Sequence, residues 1–294
     1  MKYVVGYSAD SGGRGALAVG RLFATGDMKL TVCTIVPETW GYPSLARVDA
    51  EYAEFLTSQA TAALDEAKRM LGPDVPAEYL VTATRSPVDG VLALVEELDA
   101  KLVVLGSSRA GPFGRFAVGS VTNSLLHAAP VPVALAPRGH RPPHRTRLQR
   151  VSCGYVGTEY SAAILGTAVE LAQRQKVPLR LVTGVIRDGQ MYPPLVGLRS
   201  ERLVEQEWRA AAERALRQAV ATLPEGVEAT FEITEGTDWD DALDALHWED
   251  GEVLVIGSSR LAGVSRIFLG SNASKIVRSS PVPTVVLPRR AAVG

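Results

Sequence analysis

Two copies of a short loop containing glycine and serine are the residues of this chain best suited to hold a phosphate. Gly106-Ser-Ser-Arg109 is followed by nine residues and then Gly119-Ser120, and Gly257-Ser-Ser-Arg260 is followed by nine residues and then Gly270-Ser271. A helix that starts at such a pair points backbone N–H groups at an anion, and glycine lets the anion come close. Serine at a helix start is also an ordinary N-cap, so both interpretations stay open here.

The predicted phosphate donors are the amides and hydroxyls at these two helix starts. In the first copy they are Gly119, Ser120, Val121 and Thr122, and in the second Gly270, Ser271 and Asn272.

The two copies belong to a repeat that covers nearly the whole chain. Gly106 and Gly257 are 151 positions apart (257 − 106 = 151), and Pro137 and Pro288 have the same offset (288 − 137 = 151). The starts agree as well, because Val5-Gly6-Tyr7 is answered by Cys153-Gly154-Tyr155 at an offset of 148 (154 − 6 = 148). A repeat of this length predicts two domains of one fold.

Strand and helix patterns alternate within each repeat. In the first, strands are predicted at 3–7, 29–36, 77–83, 102–106 and 132–136, and helices at 14–24, 48–71, 87–98 and 120–129. Such alternation predicts an α/β fold with a parallel, doubly wound sheet. Ligands of such sheets bind outside the carboxyl ends of the strands, where the strand order reverses, so the loops after the first and fourth strands are the expected site.

The predicted domains are residues 1–138 and 150–290, joined by a linker at 139–149. The segment from Arg138 to Arg147 is rich in proline and basic residues, which favours an exposed linker over a short nucleic-acid-binding arm because it carries no aromatic residue.

Composition argues against several other classes of protein. The formal net charge of −1 gives no electrostatic reason to expect a nucleic acid or a membrane as partner. Cys33 and Cys153 lie in predicted strands and are expected to be buried thiols, and the four histidines lack metal-ligand spacing. Asp238, Asp240, Asp241 and Asp244 suit helix capping better than a cation site. Met1-Lys2 leads straight into a predicted strand, so the cytoplasm is the expected compartment.

The motif Gly-x-x-Gly, nine residues, then Gly-Ser or Gly-Thr, followed by Pro-x-Pro, resembles the signature of the universal stress protein family. Both halves resemble it in spacing and in the flanking strand and helix. The resemblance implies two tandem Rossmann-like domains of the adenine nucleotide alpha hydrolase-like type, each a five-stranded parallel sheet flanked by helices. It also implies ATP or a related adenine nucleotide as ligand in some members, with or without Mg²⁺, and a stress-response role without an agreed catalytic activity. No enzyme is therefore expected, although weak ATP hydrolysis stays open.

If the site works as in the family, the resemblance also assigns roles to residues. Tyr7 and Ser8 would line the nucleoside and Val36 the base. The phosphates would lie on Gly106, Ser107, Gly119, Ser120 and Thr122, with Gly257, Ser258, Gly270 and Ser271 as the second set.

Two positions depart from the family pattern. The second glycine is Arg109 in one half and Arg260 in the other, and such an arginine would either clamp a phosphate or fill its space. The aspartate after the first strand is replaced by Ser8 and Val156; Asp10 is a substitute if the loop rearranges. Two functions therefore stay open: a nucleotide-binding stress-response protein, and a scaffold with degenerate sites that works by protein contacts.

The closing strands predict how the halves meet. Proline cannot donate to a central ladder, so the strands at 132–136 and 283–287 should lie at sheet edges, which invite pairing. We expect an internal pseudo-dimer through these strands, and a homodimer of two chains is a further option.

Overall fold

The chain forms ten strands and eight helices in the part that the structure describes. The computed structural model describes residues 1–26, 28–38, 46–108, 113–141, 146–186, 198–258 and 270–288. The elements of the first half are β1 (Lys2–Gly6), α1 (Ser11–Phe23), β2 (Lys29–Pro37), α2 (Ala46–Leu71), β3 (Ala77–Thr84), α3 (Pro87–Glu97), β4 (Leu102–Gly106), α4 (Ser120–Ala128) and β5 (Val133–Ala136). Those of the second half are β6 (Arg150–Gly154), α5 (Glu159–Gln175), β7 (Leu179–Ile186), α6 (Leu198–Ala221), β8 (Ala229–Gly236), α7 (Trp239–Asp244), β9 (Glu252–Gly257), α8 (Ser271–Ser279) and β10 (Thr284–Leu287).

All ten strands belong to one sheet, in the order β3-β2-β1-β4-β5-β10-β9-β6-β7-β8. Within each half every pair is parallel, and the order reverses between β1 and β4 in the first half and between β6 and β9 in the second. The predicted α/β class, with two five-stranded parallel units, is therefore confirmed.

The halves join through their closing strands. β5 and β10 pair antiparallel, with Val133 opposite Val286, Ala134 opposite Val285 and Leu135 opposite Thr284. Pro132 and Pro283 precede these strands and use their carbonyls to accept from Val103 and Leu254. The missing proline N–H therefore falls outside the ladder, and the pairing agrees with the predicted internal pseudo-dimer.

Apolar side chains cover both faces of the sheet, as a parallel sheet requires. One core lies under α1, α2, α5 and α6 and the other under α3, α4, α7 and α8, and each runs across both halves. Because β5 and β10 pair antiparallel while the strands within each half are parallel, the carboxyl ends of the two sets of strands point in opposite directions. The candidate loop of the first half and that of the second therefore lie at opposite ends of the strands.

The predicted burial of both cysteines is confirmed. Cys33 and Cys153 are free and buried, and burial raises the pKa of each thiol to about 12. They behave as small apolar side chains at neutral pH. Among the described residues, no helix is long and apolar enough to cross a membrane.

Candidate functional site

The crevice at the strand-order reversal of the first half is bounded by the loop after β1 and the loop after β4. Ser8, Val36, Gly106 and Ser107 follow or end their strands at the same carboxyl edge, and α4 begins there at Ser120. The topology thus brings the predicted first-half residues to one edge.

The loop after β1 turns directly into α1. Asp10 is the N-cap of this helix: its carboxylate accepts from the Gly13 N–H at 2.8 Å and from the Ser8 hydroxyl at 2.8 Å. This cap starts α1 at Ser11, three residues earlier than the helix predicted at 14–24. The same bonds occupy Asp10, so it serves the helix rather than standing free as a substitute for the missing aspartate.

Gly12 and Gly106 bring the start of α1 against the end of β4. A Cβ on Gly106 would lie 1.9 Å from the Gly12 carbonyl oxygen, and a Cβ on Gly12 would lie 2.4 Å from the Ser107 carbonyl oxygen. Neither position accepts a side chain without a backbone shift. Helix packing therefore explains Gly106, and the floor of this crevice is bare backbone.

The loop after β4 is closed by two hydrogen bonds. The Ser107 hydroxyl accepts from the Ala117 N–H at 2.7 Å, and the Ser108 N–H donates to the Ala117 carbonyl at 2.9 Å. Ser107 is buried, so its predicted phosphate contact competes with a structural bond. We call this pair of hydrogen bonds the clasp.

Helix α4 starts without a side-chain cap. Its N-cap is Gly119, not Ser120, which is the first helical residue and is exposed. The fold does not demand this glycine, because its φ is −83° and a Cβ there would meet only the Ser108 Cβ at 3.6 Å. The amides of Ser120, Val121 and Thr122 lie in the first turn, whose N–H groups have no partner within the helix.

Four other helices with described N-caps use a side chain instead. Asp10, Ser86, Thr158 and Asp238 each accept from the amide three residues on. Only α4 and α8 among these six begin at a glycine without such a bond. Both uncapped helices are those predicted to face a phosphate.

Tyr7 and Val36 have different surroundings. Val36 is buried near the end of β2, at the crevice edge. Tyr7 belongs to the core between the sheet and α1 and α2, where burial, with Glu66 next in effect, raises the pKa of its phenol. Its hydroxyl is buried and finds no hydrogen-bond partner among the described residues.

The crevice of the second half carries a tyrosine where the first has Gly12. At the offset of 148, Gly12 corresponds to Tyr160 (160 − 12 = 148). A Cβ on Gly257 would meet the Tyr160 ring at 2.7 Å and Ile164 at 2.2 Å, and the Tyr160 hydroxyl lies 3.2 Å from the Ser258 hydroxyl. The ring therefore covers the floor that is bare in the first half. Ser271 and Asn272 are exposed in the first turn of α8, after the N-cap Gly270.

Arg109 and Arg260 lie outside the described residues, so both interpretations of these arginines stay open. Sequence reasoning missed Tyr160 as a side chain of the site, although aligning the halves at offset 148 places it opposite Gly12. It also missed Arg115, which follows Arg109 by six positions.

The acidic cluster of the second half has two structural roles. Asp238 caps α7, and Asp241 accepts from the Thr237 hydroxyl. Asp240 and Asp244 face Arg115 of the first half. In the described ranges, no group of three His, Cys, Asp or Glu side chains could hold a metal ion.

Known proteins resemble the whole chain. A family model described as the universal stress protein family matches residues 2–137 and 148–288. The chain is 42% identical to the universal stress protein Rv2319c of Mycobacterium tuberculosis over 295 residues, covering 98% of this chain and 100% of that protein. A universal stress protein structure from Archaeoglobus fulgidus covers 98% of both chains with a TM-score of 0.63 at 19% identity. A putative universal stress protein from Pseudomonas aeruginosa covers 97% of this chain and 92% of its own at TM-score 0.54 and 16% identity. At such identities the structures support the fold alone.

Proposed function

This chain belongs to the universal stress protein family, and from that premise we propose that its first half binds ATP or a related adenine nucleotide, with the phosphates on the amino end of α4. The observation that carries this proposal is the missing side-chain cap of α4 above a floor of bare backbone. Helix amides and the helix dipole both favour an anion at that position.

The glycine at position 119 supports the same proposal. Asn, Asp and Ser are better N-caps than glycine, and the fold has room for a Cβ there. Glycine in place of such a cap destabilises a free helix by only about 0.2–0.5 kcal/mol. A phosphate that accepts from the amides of Ser120, Val121 and Thr122 would take over the role of the cap.

The nucleoside end of the site offers fewer polar groups. Asp10 is occupied by the cap of α1, and Ser8 donates to it. We therefore place the base against Val36 at the edge of β2 and expect recognition to rest mainly on the phosphates. Mg²⁺ would then enter with the nucleotide, bound to its phosphates.

The crevice of the second half favours a different role from that of the first. Tyr160 covers the floor of its crevice and shares a hydrogen bond with Ser258, so the degenerate-scaffold alternative is favoured there. In this proposal the first half binds nucleotide and the second does not. The protein binds ATP without hydrolysing it and acts through conformation or partner contacts.

A matched pair of variants tests the proposal by calorimetric titration with ATP and Mg²⁺. Ser120→Glu and Ser271→Glu change equivalent exposed positions (271 − 120 = 151) at the first turns of α4 and α8. A glutamate in a first turn is compatible with the helix dipole, so both variants should fold. Its charge opposes phosphate, and a repulsion of about 1.4 kcal/mol makes binding roughly ten-fold weaker.

We expect Ser120→Glu to weaken ATP binding roughly ten-fold or more, and Ser271→Glu to leave it unchanged within about two-fold. The reverse pattern would move the site to the second half. If the unaltered protein gives no heat with ATP, ADP or AMP, nucleotide binding is wrong and the scaffold alternative takes its place.

A further inference from the structure

The loop after β4 carries an arm that leaves the clasp and reaches the second half. We call residues 113–116 the arm. Phe116 is 3% exposed and packs into the core under α3 and α4, which anchors the end of the arm next to Ala117. Helix α4 begins four residues after Phe116, so the position of the arm and that of the α4 amides are linked by a short stretch of chain.

The arm is paired with the start of the linker. The Gly114 N–H donates to the Arg138 carbonyl at 2.9 Å, and the Arg138 N–H donates to the Arg115 carbonyl at 2.8 Å. Gly139 has a φ of +76°, and a Cβ there would lie 2.3 Å from the Phe113 ring. The chain that leaves the first half therefore runs directly along the arm.

Arg115 then crosses to α7 of the second half. Its Nη2 donates to both carboxylate oxygens of Asp244, at 2.6 and 2.5 Å, and its Nε lies 3.8 Å from Asp240 Oδ1. The Arg115 side chain is only 21% exposed, whereas Asp240 and Asp244 are more than half exposed. Two carboxylates of one half thus hold one guanidinium of the other.

The two acids of this contact are not repeated at the equivalent sequence positions of the first half. Counted from the N-caps Ser86 and Asp238, the positions of Asp240 and Asp244 correspond to Val88 and Leu92 (240 − 88 = 152). The offset of 151 gives Arg115 a sequence counterpart in Arg266. The arginine is therefore repeated, but the acids that receive it belong to the second half alone.

We propose that Arg115 is a positioning residue, which fixes the loop after β4 of the first half to α7 of the second. The affinity of the first half for nucleotide then depends on this contact with the second half. This inference rests on the proposed function, since it concerns the regulation of the same site. A ligand on the α4 amides and the acids on α7 act on opposite ends of one short segment. By linkage, nucleotide binding in turn strengthens the contact between the halves.

The first test needs no nucleotide. Hydrogen exchange of amides 113–119 is measured by mass spectrometry in the unaltered protein, in Asp244→Asn and in the control Glu213→Gln. The control removes one carboxylate from another exposed ion pair, Glu213 with Arg217 on α6. We expect faster exchange of these amides in Asp244→Asn alone. Equal exchange in all three proteins would overturn the positioning role, whether or not ATP binds.

The second test measures ATP affinity by calorimetry in the same proteins. We expect Asp244→Asn to bind ATP about three- to five-fold more weakly, the range that loss of an exposed ion pair allows, and Glu213→Gln to bind it unchanged. A merely structural role would lower the melting temperature without changing affinity, and that result would overturn the inference. Absence of ATP binding in the unaltered protein would count against the proposed function, while the exchange experiment still decides on the arm.

Exchanging the charges of Arg115 and Asp244 tests whether the effects come from the contact between these two residues. Arg115→Asp faces Asp240 and Asp244 with a like charge, and we expect it to speed exchange of the arm and weaken ATP binding more than Asp244→Asn does. Adding Asp244→Arg restores an opposite-charge pair and should recover at least half of both effects. A double variant no better than Arg115→Asp would contradict a pairwise contact.

Discussion

The two halves of this protein have the same strand order and helix positions, yet their crevices differ at one position of the first flanking helix. Gly12 in the first half brings backbone against backbone at Gly106, whereas Tyr160 in the second fills the same place with a ring that bonds Ser258. The helix starts that would face a phosphate are alike, since α4 and α8 both begin at an uncapped glycine. The uncapped helix start thus occurs in both halves, while the side chain beneath it differs: glycine in the first half and tyrosine in the second.

The halves also differ at the opposite ends of their strands. In the second half Glu252, whose side chain is 0% exposed, accepts from Arg180 and Arg150 at 2.7 Å each and from Ser152. Arg180 also stacks on Trp248, with its Cζ 4.8 Å from the ring centroid. The network ties β6, β7 and β9 together where the first half has no such group.

The first half has other residues at these positions. Val4 pairs with Thr31 where Ser152 pairs with Arg180, and Lys101 takes the place of Glu252 (252 − 101 = 151). Thr31 is buried and its hydroxyl finds no partner among the described residues. The buried charges of the second half therefore have no equivalent at these three positions of the first.

Removing the central acid should have the largest effect on stability. Glu252→Gln leaves the buried guanidinium of Arg180 and the partly buried one of Arg150 without their shared charge partner, and we expect the free energy of unfolding to fall by about 3–5 kcal/mol. The control Lys101→Gln alters the equivalent position of the first half, where an exposed pair with Asp99 should contribute about 1 kcal/mol or less. Urea unfolding measures both, and equal losses would show that the network does not distinguish the halves.

The folded protein should lose stability in acid because of His140, at the start of the linker. Burial, opposed by Asp250, lowers the pKa of this histidine from 6.5 to about 4. Above pH 6.5 both the folded and unfolded states hold it neutral, and as the pH falls toward 4 only the unfolded state takes up a proton, so stability is lost over this window. A shift of this size corresponds to about 3 kcal/mol.

His140→Gln should therefore flatten the pH dependence of the free energy of unfolding between pH 6.5 and 4, which urea unfolding at a series of pH values measures. Identical pH profiles for the unaltered protein and His140→Gln would contradict a neutral His140 in the folded protein.

Adding a side chain at Gly12, where α1 contacts the backbone of Ser107, should have a smaller effect on stability. Gly12→Ala places a Cβ against the Ser107 carbonyl, and overpacking of this kind should cost about 1–3 kcal/mol and weaken ATP binding as the clasp shifts. Gly166→Ala in α5 has open space around its Cβ and should instead stabilise the protein by about 0.5–1 kcal/mol. Thermal unfolding and ATP titration of the pair check this, and a stabilising Gly12→Ala would refute the backbone contact.

Removing the hydrogen bond between the Tyr160 and Ser258 hydroxyls should have the smallest effect on stability. Tyr160→Phe removes one bond to Ser258 and keeps the ring, so we expect a loss of about 1 kcal/mol and no second nucleotide. In a cycle with Ser258→Ala, the double variant should lose little more than either single variant. Fully additive losses would show that the two hydroxyls do not interact.

Sequence reasoning could identify the scaffold because its signals are local or repeated. The offset of 151 predicted two copies of one sheet, and the prolines before the closing strands predicted their pairing. The helix start at Ser120 was located to within one residue, with Gly119 as its cap.

The remaining features depend on distances between segments far apart in the chain. Tyr160 over Gly257 and Arg115 on Asp244 each require knowing how closely two elements approach. Gly12 illustrates the limit: it lies before the predicted helix at 14–24, but in the structure it belongs to α1 and contacts Ser107.

The proposed difference in nucleotide binding between the two halves can be counted directly. Native mass spectrometry of the unaltered protein with saturating ATP and Mg²⁺ counts the bound nucleotides directly. We predict one nucleotide per chain, lost in Ser120→Glu and kept in Ser271→Glu. Two nucleotides of similar occupancy per chain, or none at saturating ATP, would contradict the difference between Gly12 and Tyr160 as the basis of function.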